Sequence, residues 1–212
     1  MTAPKFDTDF REKLDQLFLW RRDVRHFRST PLPEGMIDDL LDITCLSPSV
    51  GNSQTWRFVR VLSPERRSAL VHHVDAHKHT ASRAYEGSQR AHYDRLRLHG
   101  LDAAPEVLAV FCDEMSAAGQ GLGCKTMPET LCWSVIAAIQ TLWLAARARG
   151  IGMGWVSILD PALMNSLLDV PREWRFVALL CLGYPTDESD TPELARHGWQ
   201  ERLPSTLTRF IR

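Results

Sequence analysis

The sequence predicts an α+β domain in which a small sheet is flanked by helices. Short apolar or alternating runs have the length of strands, and longer segments between them carry apolar residues at helical spacing. The composition agrees, because 44% hydrophobic and 24% charged residues in a chain of 212 are typical of a globular protein. No repeat or Pro/Gly-rich linker divides the chain, so residues 1–212 are predicted to form a single domain.

The helices are predicted from apolar periodicity and from signals at their ends. Residues 10–20 have helical spacing, and Pro33 lies in the first turn of a second helix. The longest pattern, residues 128–149, is apolar on most sides, which is typical of a central core helix, and Gly150 provides a C-cap signal. Shorter or more polar helices are predicted over residues 64–74, 81–98 and 161–168.

The strands are predicted from alternating or short apolar runs bounded by turn residues. They cover residues 56–62, 107–112, 155–159 and 176–182. A break at residues 47–52 and a glycine-rich loop at 119–125 separate the elements. The polar tail, residues 186–212, is predicted to wrap over the surface or over a partner subunit.

Charge, apolar-run length and cysteine usage exclude several classes of function. A net charge of −1 lacks the basic excess of a general nucleic-acid-binding protein. The longest apolar runs fall far short of the ~20 residues that cross a bilayer, and the first residues lack the apolar core of a secretory signal, so no membrane association is expected. Five cysteines without a CxxC pair predict reduced, mostly buried thiols in a cytoplasmic protein.

The densest polar cluster is the run RRDVRHFR at residues 21–28. Its arginines (Arg21, Arg22, Arg25 and Arg28) suit a clamp that binds a phosphate or an anionic ring through forked hydrogen bonds. They equally suit a solvated helix end, where basic side chains complement the dipole. Asp23, inside the run, is either an ion-pair partner or a base directed at a bound ligand.

The segment SPSVGNSQTW, residues 47–56, lies between a helix and a strand. It offers the amides of Asn52 and Gln54 together with several hydroxyls. Amides both donate and accept hydrogen bonds, which suits the mixed edge of a heterocycle, whereas a capped turn held by Asn52 is the structural alternative.

Three further patterns are interpreted as structural. The glycines at 119, 121 and 123 do not form the GxGxxG dinucleotide fingerprint. The histidines at 72, 73, 77 and 79 are expected on a solvated helix face, with no metal. Ser157 lacks the GxSxG elbow of a hydrolase nucleophile.

The ordered set RRDVRHF, SPSVGNSQTWRFV, AARARGIGMGWVSIL and LCLGYP resembles the nitroreductase-like flavoprotein superfamily, and within it the 5,6-dimethylbenzimidazole synthase family. The resemblance runs from about Arg21 to Arg202. Asp23 replaces the serine usual in the RRSxR stretch of nitroreductases, and Ser157 follows the glycine-rich turn. The segment YDRLRLHGLDAAP, which begins at Tyr93, also resembles the synthases.

The resemblance implies a nitroreductase-like fold with a central mixed sheet flanked by helices. It also implies a homodimer with FMN at the subunit interface. Reduced FMN, supplied by a separate flavin reductase, would react with O2 and be consumed, yielding 5,6-dimethylbenzimidazole (the lower ligand of vitamin B12) and erythrose 4-phosphate. No metal is expected. The alternatives are an NAD(P)H-dependent FMN nitroreductase or flavin reductase, and a non-catalytic flavin-binding protein.

The same resemblance assigns roles to residues. Asp23 is expected to remove a proton near the first ribityl carbon, and Ser157 to hydrogen-bond the ring edge or the oxygen that adds to it. Arginines are expected to hold the phosphate, amides the ring, and Leu96 to belong to a lid. The residues expected at the flavin are Arg21, Arg22, Asp23, Val24, Arg25, Ser49, Asn52, Gln54, Leu96, Met153, Gly154, Trp155, Ser157 and Arg202.

Overall fold

A four-stranded sheet and the long helix packed on it form the centre of the fold. The computed structural model describes residues 2–211, apart from the side chain of Leu207. The strands are β1 (Trp56–Arg60), β2 (Glu106–Asp113), β3 (Gly152–Val156) and β4 (Trp174–Gly183), in the order β1-β2-β4-β3. β2 and β4 therefore lie in the middle of the sheet, which explains their continuous apolar sequences.

The pairing corrects the mixed sheet that was expected. All four strands pair antiparallel with their neighbours. The segments between β1 and β2, and between β3 and β4, return the chain to the end of the sheet that it left, so adjacent strands run in opposite directions. Within residues 2–211, parallel pairing is limited to one bridge between Asp23 and Met153.

Helices cover both faces of this sheet. They are α1 (Thr8–Trp20), α2 (Met36–Thr44), α3 (Pro64–Ser82), α4 (Gly87–Arg95), α5 (Thr130–Arg147), α6 (Met164–Leu168) and α7 (Glu193–Arg196). On one face, α2 and α5 pack against alternate residues of β2 such as Leu108 and Val110. On the other face, α3 and α6 pack against Val107 and Ala109, since successive strand residues point to opposite sides.

The central helix α5 is long and apolar, although the short apolar runs of the sequence predicted no membrane segment. By length and composition alone, Thr130–Arg147 is apolar enough to cross a membrane. Val135, Ala138, Ile139 and Leu142 on this helix are fully buried against the sheet and α2. This packing is that of a core helix.

Several element boundaries differ from the sequence prediction. The second helix begins at Met36, so Pro33 precedes it and does not lie in its first turn. The predicted helix over residues 81–98 is divided, because α3 continues to Ser82 and α4 begins at Gly87 with a left-handed φ of 52°. The predicted strand 155–159 lies earlier, at Gly152–Val156. A Cβ on Gly154 would overlap the carbonyl oxygen of Val24, so only glycine permits this close pairing. Ser157 consequently follows the strand.

The cysteines also differ from expectation, since most were predicted to be buried. Only Cys112 and Cys181 are buried, whereas Cys45 is exposed and Cys124 and Cys132 are partly exposed. Cys45 lies at the C-terminal cap of α2, and Cys132 in the first turn of α5, where the helix approaches the surface.

The four histidines on α3 differ in how exposed they are. His72 and His79 are exposed, as expected for a solvated face. His73 instead uses Nε2 to accept a hydrogen bond of 3.0 Å from the backbone N–H of Asp160. Burial lowers the pKa of His73, which favours the neutral ring that can accept this bond.

The polar tail folds back over its own subunit as far as Trp199. The Trp199 ring contacts Tyr85 and Tyr93, with centroids 5.5 and 6.0 Å away, and His92 at 5.5 Å. These rings bring the chain beyond Trp199 towards the first arginines. Residues 200–206 and 208–211 are exposed.

Candidate active site

The segment after α1 lies along the edge of β3. The backbone N–H of Val24 donates to the carbonyl of Met153 at 3.0 Å. The next strand N–H in register, that of Trp155, donates instead to Oδ1 of Asp23 at 2.8 Å. The Asp23 side chain thus takes the place of a backbone acceptor and continues the bridge by one more hydrogen bond.

The other carboxylate oxygen of Asp23 is held by Arg25. Its Oδ2 lies 3.0 Å from Nε and 2.9 Å from Nη2 of the guanidinium. Arg25 is fixed in turn by the carbonyl of Arg97 at 3.2 Å. Burial raises the pKa of the Asp23 carboxyl above its ordinary value, and Arg25 and the Trp155 N–H only partly oppose that increase. The site therefore contains a proton acceptor with a raised pKa.

Four arginines surround a cavity beside Asp23. The cavity has a volume of about 170 Å³, and its lining includes Arg21, Arg22, Arg25 and Arg202. The Arg21 guanidinium lies 4.7 Å above the ring of Trp143. Because four of the residues that line it are arginines, we call it the anion-binding cavity below.

Positive charge predominates in the anion-binding cavity, where four arginines face the carboxyl groups of Asp23 and Glu193. Burial lowers the pKa of Arg22, as does the positive charge of Arg202 and Arg21. Because arginine stays protonated in proteins, the repulsion is relieved by binding an anion rather than by losing a proton. Nε of Arg22 is also buried without a hydrogen-bond partner among the described residues. These features fit the phosphate of FMN, which accepts several such bonds.

The amide loop, residues 49–54, is held in a strained conformation. Asn52 and Gln54 have left-handed φ values of 55° and 48°, which are rare for residues other than glycine. Oγ of Ser49 accepts a hydrogen bond from the Gln54 N–H at 3.0 Å, and Gln54 Nε2 lies 3.3 Å from Oδ1 of Asn52. Both amide side chains are exposed. The loop therefore presents fixed donors and acceptors outward.

Within one chain, the amide loop and the anion-binding cavity do not meet. The loop is fastened to the start of α5, where the Val50 N–H donates to Oγ of Ser134 at 3.0 Å. The arginine segment contacts the other half of α5, where Nε1 of Trp143 donates to the Arg22 carbonyl at 3.2 Å. The two contacts are nine positions apart on α5, or about 13.5 Å along its axis. The structure thus brings only part of the expected set together.

The remaining expected residues lie in different surroundings. Met153 is fully buried, so it can offer its backbone but not its side chain. Trp155 is half-buried near Trp143, with ring centroids 6.5 Å apart. Ser157 is exposed, directly after β3. Leu96 is buried at the end of α4 and lines a separate cavity with Lys78 and Arg97 rather than the anion-binding cavity.

Sequence reasoning missed three residues near the site. Glu193 lines the anion-binding cavity, and its Oε1 lies 3.4 Å from Nε2 of His26. Trp143 supports Arg21, and Trp199 anchors the tail that carries Arg202. Glu193 and Trp199 are isolated in a polar tail and carry no periodic signal. Trp143 belongs to the apolar pattern of α5, so the sequence predicts only a core position for it.

The fold and site define a flavoprotein of the nitroreductase class. Residues 18–184 match the Nitroreductase family. The crystal structure of oxidised iodotyrosine deiodinase bound to FMN and 3-iodo-L-tyrosine is similar, with a TM-score of 0.68 and 26% identity over 83% of this chain and 91% of that one. The resemblance to the nitroreductase-like superfamily and the predicted α+β fold class are thereby confirmed.

Relatives within this class are more specific. The chain is 54% identical to a 5,6-dimethylbenzimidazole synthase of Rhodospirillum rubrum over 98% of this chain and 99% of that protein. A synthase of the same name from Rhodobacter capsulatus is 48% identical over 96% and 99%. The chain belongs to the 5,6-dimethylbenzimidazole synthase family of nitroreductase-like proteins.

Proposed function

We propose that the protein is a 5,6-dimethylbenzimidazole synthase that consumes reduced FMN and O2. The products would be 5,6-dimethylbenzimidazole, destined for cobalamin, and erythrose 4-phosphate. The single observation that carries the proposal is the Asp23 carboxylate, whose pKa is raised by burial and which lines the arginine-rich cavity. An enzyme that only passes electrons through a flavin does not need a base at this position.

The anion-binding cavity would hold the FMN phosphate. Arg21, Arg22 and Arg202 contribute the positive charge, and their mutual repulsion in the free protein adds to the gain on binding. The exposed amides of Asn52 and Gln54 would bond the polar edge of the ring. Reduced FMN supplies the electrons for O2 and the carbon skeleton of the product.

Asp23 would act as a general base at the ribityl chain. Oδ1 and Oδ2 already accept hydrogen bonds from Trp155 and Arg25, which fix the direction of the carboxylate. A carboxylate held in a fixed orientation loses less entropy in reaching the reactive geometry, and the raised pKa makes it a stronger base. The exposed hydroxyl of Ser157, just past the strand that Asp23 pairs with, would orient the oxygen that reacts with the ring.

A homodimer would complete the site. The amide loop and the anion-binding cavity lie at opposite ends of α5, so a second copy is needed to place one opposite the other. α5 also carries an exposed apolar strip, in which Trp133 is 55% and Ile136 is 41% exposed. Burying such a strip between two copies would stabilise the pair and exclude water from the flavin. A separate cytoplasmic flavin reductase belongs to the same proposal.

The test is a single turnover with a fixed amount of reduced FMN. The protein is loaded without oxygen and then exposed to O2, and the products are analysed by mass spectrometry. One 5,6-dimethylbenzimidazole and one erythrose 4-phosphate per FMN lost are expected. Quantitative recovery of oxidised FMN would instead indicate a non-catalytic flavin-binding protein. Continuous NAD(P)H oxidation with retained FMN would indicate a nitroreductase or flavin reductase.

A further inference from the structure

A second cluster of reactive side chains lies away from the anion-binding cavity. Cys112 is on β2, Glu114 follows that strand, and Cys132 is in the first turn of α5. The two Sγ atoms and a Glu114 oxygen all lie within 4.8 Å of one another. Cys132 Sγ lies 3.5 Å from Oε1 of Glu114. Residues separated in sequence are thus brought together by the packing of α5 on the sheet.

The separation of 3.5 Å between Cys132 Sγ and Glu114 Oε1 matches that of neighbouring ligands around a tetrahedral cation, and Cys112 Sγ lies within 4.8 Å of both atoms. Zn–S bonds of about 2.3 Å and Zn–O bonds of about 2.1 Å place neighbouring ligands roughly 3.5–3.8 Å apart. Thiolates prefer soft or borderline cations such as Zn²⁺ to Mg²⁺ or Ca²⁺. Cys112 is buried, while Glu114 is exposed and Cys132 is half-buried, so a cation can enter from one side. The fourth position would face solvent.

The surroundings balance the charge of such a site. Two thiolates and a carboxylate carry one more negative charge than a divalent cation neutralises. Arg175 supplies the remaining positive charge, since its Nη1 lies 3.2 Å from Oε1 of Glu114. This contact would also orient the carboxylate, as hydrogen bonds behind a ligand commonly do. On the buried side, Oγ of Thr55 lies 3.6 Å from Sγ of Cys112.

We propose that Cys112, Glu114 and Cys132 bind one thiophilic divalent cation of the Zn²⁺ type, with a solvent molecule at the fourth position. Binding forms two metal–sulfur bonds and one metal–oxygen bond. The two thiol protons leave to solvent, and no group is oxidised or reduced. The inference is independent of the proposed synthase reaction.

A cation here would join the sheet to the start of α5. Oγ of Thr55 also donates to the carbonyl of Leu131 at 3.1 Å, next to Cys132, and Gln54 of the amide loop precedes Thr55. Binding should therefore stabilise the fold and stiffen the base of the amide loop. Because a ligand that binds only the folded state raises stability by mass action, Zn²⁺ should raise the melting temperature.

The test uses Co²⁺ as a spectroscopic probe and Zn²⁺ as its competitor. Protein is reduced with a phosphine, which does not compete for metal as a thiol would, and titrated under argon. One equivalent of Co²⁺ should give thiolate-to-cobalt charge-transfer absorption, which Zn²⁺ removes. Cys132→Ser should abolish this absorption, and Glu114→Gln should weaken binding by at least about tenfold. Cys45→Ser, which changes an exposed cysteine elsewhere, is the matched control and should bind as the wild type does.

Several outcomes would overturn the assignment. They are absence of the charge-transfer band in the reduced wild type, an unchanged band in Cys132→Ser, or its loss in Cys45→Ser. The assignment would also be overturned if the purified protein contained a Cys112–Cys132 disulfide and, once this bond was reduced, bound no metal. Cys132 is chosen because it is half-buried, and circular dichroism checks that the variant is folded.

Discussion

Oδ1 of Asp23 accepts a hydrogen bond of 2.8 Å from the backbone N–H of Trp155, a residue 132 positions later in the chain. The Asp23 side chain here accepts the hydrogen bond that a backbone carbonyl of a neighbouring strand would otherwise accept. The same carboxylate pairs through its other oxygen with Arg25. Asp23 therefore links the sheet edge to the anion-binding cavity, and several expectations depend on this link.

Replacing Asp23 by Asn should remove the base and keep the fold. The Asn amide oxygen can still accept from the Trp155 N–H, so the sheet contact is retained. Loss of a general base commonly lowers a rate by about 10²–10⁴-fold. The measurement is the rate at which 5,6-dimethylbenzimidazole forms in a single turnover. Asp169→Asn, which breaks an exposed Asp–Arg pair away from the site, is the control, and a near wild-type rate in Asp23→Asn would exclude Asp23 as the base.

The free energy of unfolding should depend on pH because of the Asp23 carboxyl. Burial raises the pKa of Asp23 above its ordinary 3.8, so the folded state binds the proton more tightly than the unfolded chain. The contribution of Asp23 to stability therefore falls as pH rises from the ordinary value through the raised one. Asp23→Asn should lack this fall. Urea unfolding of both proteins across acidic pH measures the difference, and a pH-independent difference would contradict the raised pKa.

The rate of product formation should follow the same ionisation. Since the base acts only when deprotonated, the single-turnover rate should rise with pH through the raised pKa of Asp23 and then level off. Rapid mixing of reduced, loaded protein with O2 at a series of pH values measures this. A rate that is constant across that range would mean that another group is the base.

Ser157→Ala should alter the fate of the flavin without altering the fold. The side chain is exposed, so little packing is lost. One hydrogen bond contributes about 1 kcal/mol, or roughly a fivefold lower yield of product relative to reoxidised FMN. Ser68→Ala, an exposed serine on α3, is the control. An unchanged ratio of product to reoxidised FMN would remove Ser157 from the reaction.

The anion-binding cavity should discriminate between FMN and riboflavin. Each charge-assisted hydrogen bond contributes about 1.5–3 kcal/mol, so losing two should weaken binding by about a hundredfold or more. Arg202→Gln should lower the ratio of FMN affinity to riboflavin affinity. Arg209→Gln, in the same tail, should leave this ratio unchanged. Fluorescence quenching measures both flavins. Equal affinity of the wild type for the two flavins would place the phosphate elsewhere.

Trp133→Glu should separate the proposed dimer. A charge placed on the exposed apolar strip of α5 cannot be buried against a second copy without a large desolvation cost. Light scattering should show a monomer. Fluorescence quenching should show a lower affinity for FMN, because the amide loop then has no opposing cavity. Leu62→Glu, at another exposed apolar position, is the control. A wild-type monomer with full affinity for FMN would overturn the two-subunit site.

Much of the fold could be predicted locally, because periodicity reports which face of a segment is buried. The apolar pattern of α5 and the continuous runs of β2 and β4 indicated core elements, and these lie in the core. The glycines after α5 were less informative. Gly150 follows the end of the helix as predicted. Gly152, assigned with it to the helix end, and Gly154, expected in a turn, are instead strand residues against which Val24 packs, and no local pattern reveals this contact.

The sequence by itself determined the α+β class, the family and the chemical types at the site: arginines for an anion, amides for a ring edge and one carboxylate. Tertiary structure alone decided which of these groups meet. It paired Asp23 with Trp155, gathered Arg202 with Arg21 and Arg22, and left the amide loop at the other end of α5. Such contacts depend on strand register and helix packing between segments at least 84 residues apart, and local composition does not specify which distant segments meet.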